Sequence, residues 1–233
     1  MKHLMKTVAV ASLMAMTATG AYAASHAGTV TIGMQLEPPV LDPTAGAAAA
    51  IDEITYSNIY EGLVRFGEDG SLNPGLAESW EIDSAGLIYT FELRKGVKFH
   101  DGTDFDANDV KFSLDRIAAE DSANAQKALY ASILGVEVVD SHTVRIELKE
   151  PTGAMLFNLA WGDAVIVAPE SVETNATNPV GTGAFKFSKW NKGDSVEIVK
   201  NADYWGAPAK IEKATFKFIS DPTAAFALSL IHI

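Results

Sequence analysis

Apolar and polar residues alternate with a period of two along several short stretches of the chain. Leu87, Tyr89, Phe91 and Leu93 fall on one side and Thr90 and Glu92 on the other, which predicts a strand with one buried face. Thr143 to Leu148 repeats the pattern, with Val144, Ile146 and Leu148 inward and Arg145, Glu147 and Lys149 outward. Together with Val136 to Val139 it reads as a hairpin turning at Asp140-Ser141. Further strands are predicted over Thr29 to Leu36, Leu63 to Phe66, Ala77 to Ile82, Ala184 to Trp190, Val196 to Lys200 and Ala214 to Ile219. The spacing changes at Val110, Leu114, Ile117 and Ala118, which lie at i, i+4, i+7 and i+8 and predict an amphipathic helix. Asp106 is placed to cap it, with Asp109 adding charge in its first turn. Phe112 falls off that stripe, so the helix is expected to be covered on two sides.

Other helices are expected from Asp52 to Glu61, ended by Gly62, from Ser122 to Leu134, and from Pro151 to about Trp161. Glu37-Pro38-Pro39, Leu41-Asp42-Pro43, Asp83 to Gly86 and Asp101-Gly102 are turn signals. Strands and helices mix without a βαβα rhythm, so the predicted class is α+β.

Composition narrows the function. The chain has 233 residues and a formal net charge of −12. Nucleic-acid binding needs a basic footprint, and docking on anionic lipid needs the same sign of charge. Neither is expected. Lys2 and Lys6, the small apolar run Thr7 to Ala18 and Ala21-Tyr22-Ala23 read in order as a signal peptide over residues 1–23. Its removal leaves 16 basic against 30 acidic residues, a net charge of −14. The sequence holds no cysteine, so disulfides, cysteine metal sites and an N-terminal lipid anchor are all excluded chemically. With no twin-arginine pair, Sec export to a Gram-negative periplasm is the expectation. No membrane insertion is expected after cleavage, and the mature chain is expected to be a monomer.

Catalytic patterns are missing. The five histidines are His3, His26, His100, His142 and His232, and neither His-Glu-x-x-His nor Gly-x-Ser-x-Gly occurs. His100-Asp101 can be drawn as a base and its orienter, but no nucleophile motif accompanies it, so a surface turn is the preferred reading. No catalytic residue, metal site or cofactor is expected. A secreted hydrolase and a sensory or chaperone-like binding module are the alternatives from other classes.

Two blocks then carry a resemblance. The first runs from Leu76 to Ile117. The second runs from Pro179 to Ala225 and contains Gly181-Thr182-Gly183, Asn201-x-x-Tyr204-Trp205-Gly206 and Asp221-Pro222-Thr223. Glu37-Pro38-Pro39, Leu41-Asp42-Pro43 and Ile59-Tyr60-Glu61-Gly62-Leu63 add to them. In order and spacing these elements resemble the family 5 extracellular solute-binding proteins of peptide- and nickel-type ABC importers. The resemblance implies a type II periplasmic-binding-protein-like fold, with this chain as the N-terminal part of a longer protein and containing its first lobe only. It divides the chain into core residues 24–70, an inserted subdomain over 71–164 and a second core part over 165–233, of which 229–233 departs from the family pattern. Without the family's closing strands, an edge near the Ala214 to Ile219 strand is expected to lie unpaired, which invites aggregation.

The implied function is capture of a small solute, first of all a di- or oligopeptide, and its delivery to the membrane permease subunits of an importer. A nickel chelate, glutathione, an opine or a sugar are alternative solutes. Three segments face the ligand by analogy. Glu37, Pro39 and Ala47 belong to the loop after the first strand, where Glu37 is either a partner for a cationic group or a solvated carboxylate. Trp161 and Asp163 form the second segment, as an apolar or cation–π wall and an ammonium acceptor, or else as a core plug and a turn cap. Gly183, with Gly181, either lets backbone approach a ligand or makes a tight strand entry. Trp80, Tyr89, Phe91, Phe99, Phe105 and Phe112 read as the core of the insert, and Tyr204-Trp205-Gly206 as packing and a turn.

Overall fold

The computed structural model describes residues 28–221, 223 and 225, so the expected signal segment, His26 and the 229–233 tail lie outside the described residues. Two four-stranded sheets carry the fold. The first is built from β1 (Thr29–Met34), β8 (Phe185–Asn191), β9 (Ser195–Lys200) and β10 (Lys213–Phe218), in the order β1-β10-β9-β8. β1 runs parallel to β10 and the other pairs are antiparallel. The second contains β4 (Ala77–Ile82), β5 (Ile88–Leu93), β6 (Ile133–Asp140) and β7 (Thr143–Leu148), all antiparallel in the order β4-β5-β7-β6. A short ribbon of β2 (Val64–Phe66) and β3 (Leu72–Pro74) precedes it.

The alternating residues point as their pattern requires. Tyr89, Phe91 and Leu93 are buried with Val144, Ile146 and Leu148, because Tyr89 pairs with Ile146 and Phe91 with Val144 across the ladder. α2 (Ala107–Ala118) covers this face. Asp106 accepts from the Asn108 amide at 2.7 Å, while the Asp109 carboxylate returns to the Asp106 amide at 2.8 Å, giving a capping box. Val110, Leu114 and Ile117 join the core of the second sheet, and Phe112 packs against the separate core of the first. Its position off the stripe is thereby explained: α2 lies between two cores.

Tertiary contacts override local pattern at four places. The helix expected over Asp52 to Glu61 is α1, Ala49–Thr55, and Gly62 does not end it. Tyr56 is already extended (φ −66°, ψ 130°), Ser57 takes φ 57°, and the amides of Ile59 and Tyr60 both turn back to the Thr55 carbonyl. This unwinding sends Glu61 into the interior. The helix expected over Ser122 to Leu134 shrinks to a 3-10 turn, Lys127–Tyr130, and Ile133 already pairs with Leu148 in β6. From Pro151 to Trp161 only α3 (Met155–Asn158) is helical, followed by a 3-10 turn at Gly162–Ala164. Finally, β10 is interior to its sheet, with β1 on one side and β9 on the other, so the edges are β1 and β8. The β1–β10 pair joins residues at opposite ends of the chain, a contact no local pattern announces.

Candidate functional site

α1 buries Ala50, Ile51, Ile54 and Thr55, which leaves Asp52 on its flank at the border of the core. The Asp52 carboxylate lies against Gly162. A Cβ at Gly162 would stand 2.5 Å from Asp52 Oδ1, so the close approach requires glycine. Asp52 Oδ1 is buried and has no hydrogen-bond donor among the described residues. Asp163 follows at 7% exposure, and no other described residue donates to its carboxylate. Burial pushes the Asp52 carboxyl up to about 6, with the charge of Asp163 adding to the effect. Burial also raises the Asp163 carboxyl. Two partly dehydrated carboxyls with no cation beside them hold their charge at a penalty, and a cation arriving from outside would relieve it.

Neighbouring groups fix this pair in place. Asn124 donates to the Asp163 carbonyl at 2.9 Å, and Tyr130 donates to the Asn158 carbonyl at 3.0 Å. The Tyr130 phenol is pushed well up by burial and then by the charges of Asp163 and Asp52. Tyr56 donates to the Ala160 carbonyl at 2.5 Å, which sets the backbone just before Trp161. Trp161 is 42% exposed and Phe157 46% exposed. Both pack edge-on with Phe66, at centroid distances of 6.4 and 5.0 Å, and with each other at 6.1 Å. An aromatic ledge thus stands partly in solvent, and the chain continues from it through Gly162, where the Asp52 carboxylate lies, to the buried Asp163.

The remaining predicted residues are spread over the first sheet and its loops. Glu37 accepts from Trp190 Nε1 at 2.9 Å and from the Gly193 amide at 3.0 Å, so its carboxylate holds the β8–β9 hairpin turn against the loop after β1. Pro39 and Ala47 are exposed on that loop, Ala47 just ahead of α1. Gly183 is buried. A Cβ there would meet the Asn58 carbonyl oxygen at 2.3 Å, and its own amide donates to the Ile59 carbonyl at 2.9 Å. The close approach suggested by the two glycines is made to the protein's own backbone. Asp52 was not among the predicted residues. Its signal was a carboxylate among Ile51, Ile54 and small residues, which reads equally as the solvent face of a helix.

The family described as bacterial extracellular solute-binding proteins, family 5 Middle, matches residues 71–230. The chain belongs to this family. The glutathione-binding protein GsiB of Pectobacterium atrosepticum is 36% identical over 220 residues, covering 92% of this chain and 42% of the relative. The structure of a DppA periplasmic binding protein from Helicobacter pylori in complex with the peptide STSA superposes with a TM-score of 0.81 at 32% identity. It covers 88% of this chain and 46% of that one. NikZ from Campylobacter jejuni in complex with Ni(L-His) gives a TM-score of 0.79 at 32% identity, covering 88% and 42%. The chain spans less than half the length of these relatives, all of which are binding proteins. The mixed α+β, type II periplasmic-binding-protein-like class expected from the sequence is the class of these neighbours.

Membership in the family gives its motif residues a structural task. Glu61, 8% exposed, accepts from Tyr204 Oη at 2.7 Å, Thr182 Oγ1 at 2.8 Å and Trp205 Nε1 at 2.8 Å. One carboxylate thereby ties two motif segments to its own. Burial still raises the Glu61 carboxyl, although all three donors oppose the shift. The Arg94 guanidinium lies 4.4 Å from the centre of the Trp205 ring and donates to the Gly75 carbonyl at 2.7 Å. His100 forms a second tie. Its Nε2 lies 2.9 Å from the Gly183 carbonyl and its Nδ1 accepts from the Gly181 amide at 3.3 Å, the neutral tautomer with hydrogen on Nε2. Burial holds its pKa down at about 4. The surface-turn reading of His100 is therefore corrected. Asp101 does not orient it either, since that carboxylate accepts from the Thr103 amide and hydroxyl.

Proposed function

We propose that this chain carries the first, solute-contacting lobe of an ABC importer's binding protein, which captures a small solute and hands it to the permease without changing it. The reading places the protein in the periplasm after Sec export, with a di- or oligopeptide as the first solute to test and glutathione or a nickel chelate as alternatives. The observation that carries it is the exposed Trp161–Phe157 ledge, followed in sequence by Gly162, against which the unpartnered Oδ1 of Asp52 lies. A few fixed polar groups beside an apolar wall is the make-up of a small-molecule site. His100, drawn above as a possible base, is engaged in a structural tie, as is the buried Glu61.

The two sheets support a division into a core of residues 24–70 and 165–233 with an insert over 71–164. β1, β8, β9 and β10 build one sheet and β4 to β7 the other. Glu37 and Gly183 then act as supports of the site, with Pro39 and Ala47 on its rim. No helix among the described residues is long and apolar enough to cross a membrane.

Thermal melting of the full chain with dipeptides, tetrapeptides, glutathione and a nickel–histidine chelate tests this function. One solute class raises the melting point by mass action and is recovered unchanged. Steady conversion of any of these compounds, or no shift with all of them, would refute it.

A further inference from the structure

An edge strand presents unpaired amides and carbonyls that invite another strand, and each of the two four-stranded sheets has two such edges. Among the described residues, three of these four edges are blunted. β4 exposes Glu78 and Glu81 and shifts register between Ala77 and Ser79. β6 shifts twice, between Ile133 and Gly135 and between Val138 and Asp140, and exposes Glu137. β8 shifts between Phe187 and Lys189, exposes Lys189, and already gives its Phe185 amide to the Asn58 carbonyl at 2.9 Å. β1 has none of these guards. Thr29 to Met34 holds no charge, no proline and no register shift, and residues 29–33 are exposed. Val30 and Ile32 stand apolar at that edge, at 36% and 40% exposure.

The free side of β1 fits a second copy of itself. The Gly28 and Met34 carbonyls accept from the amides of Lys213, at the start of β10, and Ile219, just past its end. With a strand's period of two, Val30 and Ile32 therefore turn their backbone polar groups toward β10, and Thr29, Thr31 and Gly33 turn theirs outward. Val30 and Ile32 pair with Ala214 and Phe216, on the face of the sheet that carries its core. A second β1, turned end for end about Thr31, sets Thr31 opposite the partner's Thr31 and Thr29 opposite the partner's Gly33 as hydrogen-bonded pairs. Val30 then stands opposite the partner's Ile32, twice by symmetry, in the closer non-hydrogen-bonded positions. Packed β-branched side chains across a ladder stabilise it.

We propose that the chain associates with a second copy of itself by antiparallel pairing of β1 about Thr31, which joins two four-stranded sheets into one. The two-fold pairing is closed, and the blunted β8 edge offers no site for a third copy. The paired strands are short, so the contact belongs to the weak class of interfaces and the dimer forms and dissociates with concentration. It takes the place of the monomer expected from the sequence, and it stands whether or not the chain captures a solute.

Sedimentation equilibrium of the full chain, purified after export, from about 5 to 500 µM tests this, with amide hydrogen exchange read over the same range. A monomer–dimer equilibrium is expected, in which the Thr29, Thr31 and Gly33 amides gain protection as the dimer fills. V30K/I32K and V30E/I32E each set like charges opposite one another, and each is expected to raise the dimer Kd at least about 10-fold. Their equimolar mixture is expected to pair again, since every lysine then faces a glutamate. A wild-type monomer across the whole range overturns the proposal, and so does a dimer that both charged variants leave intact. Protection of the three amides at every concentration places a segment of the same chain on this edge and overturns it too. Growth beyond two copies refutes the single open edge. The wild-type measurements need no variant to fold.

Discussion

Replacing Glu61 by alanine leaves three donors without their shared acceptor. The hydroxyls of Thr182 and Tyr204 can rotate toward other acceptors. The Trp205 Nε1–H cannot, because its direction is set by the ring, which is held by Arg94 at 4.4 Å. One fixed, unsatisfied buried donor costs about 1–3 kcal/mol. The volume of the lost side chain adds to that as a cavity term. Relief of the burial penalty on the Glu61 charge, seen in its raised pKa, offsets part of it. The net expectation for E61A is a loss of ~2–4 kcal/mol. At about 2–4 °C per kcal/mol for a domain of this size, the melting point falls by ~5–15 °C.

Glutamine separates the hydrogen bonds from the charge. Its carbonyl can accept from Trp205 and Thr182 while its amide donates to the Tyr204 oxygen, so E61Q keeps every partner and loses only charge assistance, ~1 kcal/mol. Urea unfolding followed by tryptophan fluorescence, with melts by circular dichroism, reads both variants. An E61A within about 0.5 kcal/mol of wild type, the range of a neutral surface substitution, would refute the clasp. An E61Q as damaging as E61A would show that charge, rather than donor satisfaction, holds these segments together.

Three further expectations follow from the same structure. His100 has a folded pKa held near 4, below its ordinary 6.5. The protonated form belongs to the unfolded chain, so the tie is fully present above pH 6.5 and lost as the pH falls toward 4. The stability gap between wild type and H100A, at most about 3 kcal/mol at pH 7.5, should close by pH 4.5 in paired urea titrations; a gap independent of pH would contradict the buried neutral ring. Asp52 shifts the other way. A carboxyl raised to about 6 penalises the folded state above that pH, and the penalty fades as the pH falls toward 3.8. D52N should therefore melt higher than wild type at pH 7.5, by ~0.5–2 kcal/mol after discounting for partial exposure, and match it near pH 4; destabilisation at pH 7.5 would show that Asp52 makes a stabilising contact. G162A forces a Cβ to within 2.5 Å of Asp52 Oδ1, so a loss of ~1–3 kcal/mol is expected, with most of it recovered in G162A/D52A; full additivity of the two changes would exclude that contact.

The hairpin of β6 and β7, the alternation in β5 and the cap of α2 were legible because each is decided by residues within a few positions of one another. Asp106 and Asp109 announce a helix start on their own, and Val144, Ile146 and Leu148 announce a buried face. Long-range demands were not legible. α1 stops at Thr55 because the chain must unwind to bring Glu61 to Thr182, Tyr204 and Trp205, partners 121 to 144 positions away. Residues 122–134 abandon helical periodicity because Asn124 reaches the Asp163 carbonyl and Ile133 pairs with Leu148. Within the candidate site, Trp161 and Asp163 could be named through the family resemblance. Asp52 could not, because its partner surface is Gly162, and a glycine gives no side-chain signal of what it admits. Glu37 and Gly183 were visible as unusual residues, yet the sequence could not show that Trp190, Gly193 and residues 58–59 already occupy them.

The central claim, that this lobe captures a solute and performs no chemistry on it, is tested most directly by recovering what the protein holds. The full chain would be incubated with an equimolar mixture of the candidate solutes, freed of unbound compounds, denatured, and its released contents identified by mass spectrometry against the input. One solute class, chemically intact and approaching one equivalent per chain, is the predicted result. Empty protein, or a released compound whose mass differs from everything supplied while its precursor disappears from the mixture, would contradict it.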